Sequence, residues 1–376
     1  MSQPATQRRS ILLKRHPSGS PRPNDFELQE DAIPEPAEGQ VVTRTIWLSI
    51  DPYMRGRING RPSYATPINP GDVMTGETVG EVVASAFPGL APGDVVAGAR
   101  GWRTHCLVKG EHLTKLDPRG PPLSTYLGVL GMPGTTAFSG MTDIGKPRAG
   151  ETVVISAASG AVGSVAGQLA KRAGARVVGV AGGPEKCFYV QDTLGFDDCV
   201  DHRAVDLRTE LADTCPNGID VYFENVGGAV QAAVFDLLKP FARVVMCGMV
   251  AQYNEFDPPP GPNLGFAIGK RVLIQGMIVT DKPQRFAEWR GLATPWVLDG
   301  SLKYREHVVE GLDQAPEALA ALLGGRNFGK LLVRVGPDPG ALPRDPARDK
   351  SPDPVRKRAI VPGALEFNRF LDGFAG

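Results

Sequence analysis

The run Thr152-Val153-Val154-Ile155-Ser156-Ala157-Ala158-Ser159-Gly160-Ala161-Val162-Gly163-Ser164-Val165-Ala166-Gly167-Gln168-Leu169-Ala170 constrains this chain more than any other segment. It reads as a buried strand, a turn of small residues and a helix in immediate succession. In such a unit Gly160 lets the backbone approach a pyrophosphate, and Gly163 lets the helix close on the strand. The amides of the first helical turn, Gly160, Ala161, Val162 and Gly163, then point at phosphate oxygens. Ala158 stands where the first glycine of G-x-G-x-x-G would be, so the fingerprint is imperfect. A second strand and helix at the right distance support it over a turn kept small for packing alone.

From Glu151 onward short apolar runs alternate with helical stretches: Val153-Val154-Ile155, Arg176-Val177-Val178-Gly179-Val180, Asp220-Val221-Tyr222-Phe223, Arg243-Val244-Val245-Met246 and Val272-Leu273-Ile274. Continuous apolar strands separated by helices are what a parallel sheet covered on both faces requires. The expected class is α/β, with a doubly wound parallel sheet over residues 129–300. Residues 1–128 carry short β-type runs between Pro and Gly turn signals and read as a β-rich lobe, which residues 301–336, ending in Lys330-Leu331-Leu332-Val333-Arg334-Val335, complete. Residues 337–376 are rich in proline and charge and read as a largely disordered tail. Near its end Phe367, Phe370, Leu371 and Phe374 recur at helical spacing.

Length and charge narrow the function. A chain of 376 residues supports two cores, and 41 basic against 41 acidic residues leave no net field to recruit nucleic acid. No apolar run approaches the about 18–20 residues that cross a bilayer, and residues 1–20 lack the apolar core of a signal peptide, so a cytoplasmic protein is expected. Cys106, Cys187, Cys199, Cys215 and Cys247 are widely spaced with no Cys-x-x-Cys pair and read as reduced. His105, Cys106 and His112 are too irregularly placed for a closed metal site, so no metal is expected.

The end of the second strand selects the dinucleotide. An NAD enzyme carries Asp or Glu there for the ribose 2′-hydroxyl. Here the strand ends Val180-Ala181-Gly182-Gly183 and is followed by Pro184-Glu185-Lys186. An ammonium in that place suits a 2′-phosphate, hence NADPH. His202 and Arg203, after the third strand, add positive charge beside it.

The chain from about Leu48 to Val335 resembles the zinc-independent medium-chain dehydrogenases/reductases of the leukotriene B4 12-hydroxydehydrogenase, prostaglandin reductase and alkenal double-bond reductase type. The resemblance is carried by Leu48-Ser49-Ile50-Asp51-Pro52-Tyr53-Met54-Arg55-Gly56, Leu130-Gly131-Met132-Pro133-Gly134-Thr135-Thr136-Ala137, Ala181-Gly182-Gly183-Pro184-Glu185-Lys186-Cys187, Phe223-Glu224-Asn225-Val226-Gly227-Gly228, Cys247-Gly248-Met249-Val250-Ala251-Gln252-Tyr253-Asn254 and Asn327-Phe328-Gly329-Lys330. It implies a Rossmann domain inserted in a GroES-like substrate lobe and Lys186 on the 2′-phosphate, with His202 where the family usually has Tyr. It further implies cofactor contacts at Thr136, Asn225, Cys247, Gly248, Tyr253, Met277, Ile278, Val279 and Asn327. A homodimer with Val272 to Val279 as an edge strand near its two-fold axis is also implied. Zinc-containing cousins carry Gly-His-Glu and a cysteine in the first lobe; here Thr75-Gly76-Glu77 has no histidine and Asp51 stands near the cysteine position.

Hydride delivery to an already polarised acceptor remains: reduction of the carbon–carbon double bond of a small α,β-unsaturated aldehyde or ketone. Tyr253 is the candidate donor to the carbonyl oxygen, with Tyr53 and Tyr64 as candidate substrate contacts. Quinone reduction and a non-catalytic NADPH sensor are the competing functions. One charge-assisted contact to a phosphate contributes roughly 1.5–3 kcal/mol, so Lys186→Ala is expected to weaken NADPH about ten- to a hundredfold and NADH far less. Titration of both nucleotides checks this; equal weakening of the two would remove Lys186 from the 2′-phosphate site.

Overall fold

The computed structural model describes residues 7–61, 63–257 and 259–339. The chain opens on β1 (Gln7–Leu13) and β2 (Phe26–Ala32), then lays down β3 (Gln40–Ser49), β4 (Glu77–Ser85), β5 (Val95–Ala99), β6 (His105–Lys109) and β7 (Thr114–Leu116). Strands separated mostly by helices follow: β8 (Thr152–Ser156), β9 (Arg176–Ala181), β10 (Asp198–Asp201), β11 (Ile219–Glu224), β12 (Leu238–Met246) and β13 (Leu273–Gly276). The chain returns through β14 (Glu306–Glu310) and β15 (Lys330–Arg334).

Strands β8 to β13 pair in parallel in the order β10-β9-β8-β11-β12-β13. Successive residues of a strand point to opposite faces, and both faces here are dry. Val153 and Ile155 join Val177, Val221, Phe223 and Val245 on one side, while Val154 joins Val178, Val180, Tyr222 and Val244 on the other. Two buried faces explain the uninterrupted apolar runs. The direction of strand succession reverses between β8 and β11, which leaves a crevice at their carboxyl ends.

The second sheet has the order β14-β15-β3-β4-β5-β7, with β6 also paired to β3. β15 meets the end of β3 in antiparallel register, Leu332 opposite Ser49 and Arg334 opposite Trp47, and β14 runs parallel to β15. Ile46, Trp47 and Val79 of this sheet share one apolar cluster with Phe138, Val153, Ile155 and Trp289, so the two sheets are joined by a continuous core. The α/β class with a doubly wound sheet and a β-rich lobe is therefore what the residues form.

The edge strand is shorter than the expected Val272 to Val279. Pairing stops where the Met277 amide donates to the Met246 carbonyl at 3.3 Å, and Val279–Asp281 turns away as a short helical turn. Leu273 at this edge is 48% exposed. Beyond β15 the chain stays attached to β3: Trp47 Nε1 donates to Asp338 at 2.7 Å and Arg44 to the Pro337 carbonyl at 3.3 Å. The rest of the expected tail and its apolar repeat through Phe367, Phe370, Leu371 and Phe374 lie outside the described residues. Among the described residues no helix is long and apolar enough to cross a membrane.

The helix Gly163–Arg172 lies close against its neighbours because Gly167 has no side chain: a Cβ there would come within 1.8 Å of the buried Phe196 ring. Alanine in an open helix would gain about 1 kcal/mol over glycine, but overpacking costs about 1–3 kcal/mol. Gly167→Ala is therefore expected to lower the stability in urea by about 1 kcal/mol, with partial recovery on adding Phe196→Leu. A stabilised single variant would show that the ring can move aside.

Candidate active site

Strand β8 ends at Ser156 and the chain turns sharply through Ala157, whose φ of 50° places a side-chain-bearing residue in the left-handed region. A Cβ on Gly163 would lie 2.4 Å from the Ala157 carbonyl oxygen, and one on Gly160 would lie 3.1 Å from it. Gly160, Ala161 and Val162 stay partly accessible where the helix Gly163–Arg172 begins. This end presents backbone amides and the positive end of the helix dipole, a cradle that fits a pyrophosphate.

The end of β9 faces the end of β10. A Cβ on Gly182 would sit 2.7 Å from His202 Nε2 and 3.3 Å from Arg203 Nε, so the two bases lie against bare backbone. Lys186, half-buried on the short helix Pro184–Phe188, donates to the Gly325 carbonyl at 2.8 Å. Burial, and then the Arg203 charge, lower the Lys186 pKa; the same two causes lower that of His202 and leave its imidazole neutral at pH 7, so His202 does not add the positive charge expected of it and Arg203 alone does. Two like charges beside one strand end are an arrangement that a bound phosphate relieves. The nearby Asp201 carboxylate is occupied by backbone, accepting from the Gly183 amide at 2.9 Å and the Arg203 amide at 3.0 Å. Glu185 is exposed.

Asn225 sits in the crevice between β8 and β11. Its Nδ2 donates to the Ser156 carbonyl at 2.8 Å and its amide to Ser156 Oγ at 2.8 Å. Ser156 Oγ in turn donates to Glu224 Oε1 at 3.0 Å. The fully buried Glu224 also accepts the Val226 and Gly227 amides at 2.7 and 3.0 Å, and so fixes the turn that carries Asn225. Sequence patterning passes over Glu224, although a carboxylate closing the apolar run Val221-Tyr222-Phe223 is a signal for such a role.

The Cys247 and Gly248 amides both donate to the Glu224 carbonyl at 3.0 Å. The turn Val250–Gln252 then folds Tyr253 back over the strand end, where its hydroxyl accepts the Met249 amide at 3.4 Å. Gly248 makes room, since a Cβ there would lie 3.1 Å from that hydroxyl. Burial raises the Tyr253 pKa and pushes the Cys247 thiol up to about 12, so both keep their protons at neutral pH. From the first lobe, Tyr53 opens the helix Tyr53–Arg57. Burial and the Asp51 and Glu77 carboxylates hold its phenol well above the ordinary value. Tyr64 is 71% exposed and within electrostatic range of both Tyr53 and Tyr253. Tyr64 thus lies within electrostatic reach of a tyrosine from the first lobe and of the one at the end of β12.

Other expected contacts use a polar group locally: Thr136 Oγ1 donates to the Met132 carbonyl at 2.8 Å and Asn327 Nδ2 to the Gly329 carbonyl at 2.8 Å. Met277 packs beside Phe223 at Gly140, and Ile278 and Val279 follow the end of β13.

Behind Tyr53 lies a buried ion pair that sequence patterning does not reveal. Lys330 Nζ donates to Asp51 Oδ1 at 2.6 Å, Ser49 Oγ at 2.6 Å and the Ile50 carbonyl at 3.0 Å, with both charged groups buried. Among the described residues no group of three or more His, Cys, Asp or Glu side chains is arranged to hold a metal ion. Cys106 Sγ instead donates to the Arg100 carbonyl at 3.4 Å, and the His112 side chain is 63% exposed.

Two family models match this chain, one described as the N-terminal domain of oxidoreductase over residues 9–116 and one as zinc-binding dehydrogenase over residues 161–298. The chain is 46% identical over 344 residues to the NADPH-dependent curcumin reductase of Escherichia coli, covering 90% of this chain and 100% of that protein. It is 39% identical over 334 residues to the NADP(+)-dependent 2-alkenal reductase of Nicotiana tabacum, covering 87% and 97%. The crystal structure of CurA from Vibrio vulnificus in complex with NADPH superposes with a TM-score of 0.84 at 44% identity, covering 88% of this chain and 99% of that one.

Removing one partner of a buried ion pair strands the other charge at a cost of about 3–5 kcal/mol, whereas replacing both with apolar groups is often near neutral. Lys330→Met is expected to destabilise by that amount in urea, and Lys330→Met with Asp51→Leu by clearly less. A double variant as unstable as the sum of the singles would contradict the coupling.

Proposed function

This chain belongs to the zinc-independent medium-chain dehydrogenases/reductases, and on that premise we propose that it reduces the carbon–carbon double bond of α,β-unsaturated aldehydes and ketones with NADPH. The observation that carries this reading is the protonated Tyr253 phenol, held over the carboxyl end of β12 within electrostatic range of Tyr64, which is itself within range of Tyr53.

The amides of Ala161 to Gly163 would hold the pyrophosphate, that of Gly160 being taken by the Ala157 carbonyl at 2.9 Å, and Lys186 with Arg203 would neutralise the 2′-phosphate beside a neutral His202. Asn225, clamped by Ser156 and Glu224, lines the crevice in which the nicotinamide end is received. Bound NADPH supplies a hydride to the β-carbon of the acceptor. As that bond forms, negative charge moves to the carbonyl oxygen. Tyr253 donates its O–H to that oxygen, an interaction that strengthens only as the charge develops and so acts on the transition state. Tyr53 and Tyr64 position the conjugated chain from the other side. A proton then arrives at the α-carbon and the saturated carbonyl leaves. The named substrates of the relatives agree with this chemistry, since an alkenal is a conjugated carbonyl compound.

NADPH oxidation against a panel of enals, enones and simple quinones, with double-bond and carbonyl products separated, tests the reading. Saturated aldehydes and ketones are the expected products. Exclusive quinone turnover, or binding without turnover, would replace it. A sole oxyanion donor contributes ~10²–10³ in rate, and the cofactor's ribose hydroxyl offers a second donor, so Tyr253→Phe is expected to slow single turnover of an enal by roughly tenfold. NADPH affinity should stay nearly unchanged. An unaltered single-turnover rate would move the oxyanion role to Tyr53 or to the cofactor.

A further inference from the structure

Arg55 is 4% exposed, and a guanidinium that deeply buried is costly unless its N–H groups find acceptors. Its Nη2 and Nε go to two distant stretches of chain, while Nη1 is buried without a hydrogen-bond partner. Nη2 donates to the Gly19 carbonyl at 2.9 Å and to the Pro17 carbonyl at 3.3 Å, while Nε donates to Asn254 Oδ1 at 3.1 Å. Asn254 directly follows Tyr253, and its own Nδ2 reaches Ser20 Oγ at 3.4 Å. The Tyr253 turn is thus fastened at one end by the Met249 amide and at the other by a first-lobe arginine. A second contact runs beside it: the Arg61 guanidinium lies 3.8 Å from the centre of the Phe256 ring and donates to the Phe256 carbonyl at 3.1 Å. Arg61 is exposed, whereas Arg55 is held in one geometry by its burial.

We infer that Arg55 is a positioning residue for Tyr253. It stands two residues beyond Tyr53 on the same short helix, so its bond to Asn254 fixes the Tyr53 and Tyr253 segments relative to each other across the space where the acceptor carbonyl is held. The role rests on the double-bond-reductase reading above. Catalytic geometry is sensitive at this scale, since a displacement of about 1 Å costs up to about 10²-fold in rate. The Asn254 amide oxygen is the acceptor, so Asn254→Ala cuts the contact while sparing the buried arginine, and Asn254→Asp keeps it.

The test combines hydrogen exchange with kinetics on the full chain. In Asn254→Ala, and in Arg55→Lys, which loses the fork, amide exchange across residues 249–256 is expected to quicken about tenfold while that of Leu238–Met246 is unchanged. The same variants are expected to lose about tenfold in kcat/KM for an enal, with NADPH affinity within about twofold of wild type. Because both act through one contact, the double variant should be no worse than either single, and Asn254→Asp should behave as wild type. Unchanged exchange in Asn254→Ala overturns the tether whatever the activity. Faster exchange with unchanged kcat/KM overturns the positioning role. A wild-type protein silent on every enal would fail the double-bond reading, while the exchange data still decide the tether.

Discussion

The pairing of Lys330 with Asp51 is the interaction on which the first lobe depends. It joins positions 279 residues apart, tying β15 to the residue that leads into the helix bearing Tyr53 and Arg55. A buried ammonium is tolerable only when its protons are all used, and here they are, on Asp51, Ser49 and the Ile50 carbonyl. Zinc-containing members of the wider superfamily keep metal ligands near this part of the first lobe. In this chain a fixed positive charge sits beside the Asp51 position, and it is engaged with its neighbours rather than offered to a substrate. In the double-bond reduction proposed above, charge development would then be met elsewhere, by tyrosine hydroxyls and by the cofactor itself.

The opposite wall of the site follows from sheet geometry. Reversal of the strand order between β8 and β11 opens a crevice, and the fully buried Glu224 gives it a rigid floor by accepting the Ser156 hydroxyl and two backbone amides. Asn225 and the Cys247-Gly248 segment are both hung on that floor. The two ends of the proposed cofactor site therefore differ in their physics. At the end of β9 the charges of Lys186 and Arg203 act on each other. At the ends of β8 and β11 Asn225 is held in a hydrogen-bonded frame through Ser156 and Glu224 Oε1.

Much of this was legible in the residues. The parallel sheet could be read from its strands because both faces are buried, so Val153 to Ile155 and Val177 to Val180 carry no polar alternation. The tight turn from β8 into its helix was readable because Gly163 is required by a carbonyl 2.4 Å from where its Cβ would be. The edge was less legible. β13 ends at Gly276, three residues before the Val279 that the family resemblance implied, because an edge strand is held by one neighbour and stops where that neighbour's carbonyls stop. Glu224 shows only its place at the end of an apolar run, and Lys330 and Arg55 carry no local pattern for their roles. Their partners are Ser156, Asp51 and Asn254, at separations of 68, 279 and 199 residues.

By itself, then, the sequence determined the α/β class, the glycine turn that brings a helix end to the carboxyl end of β8 and the lysine just beyond β9, Lys186. Each is a local matter: periodicity, a glycine that must lack a side chain, a charge adjacent to a strand terminus. Only the tertiary structure decided that Asp201 is withdrawn onto backbone amides, that Lys330 is buried against Asp51, and that Arg55 reaches across to the turn carrying Tyr253. The physical reason is common to all three. A charged side chain is read from sequence as solvated, and whether it is instead desolvated and paired depends on which distant strands and turns the fold brings within about 3 Å of it.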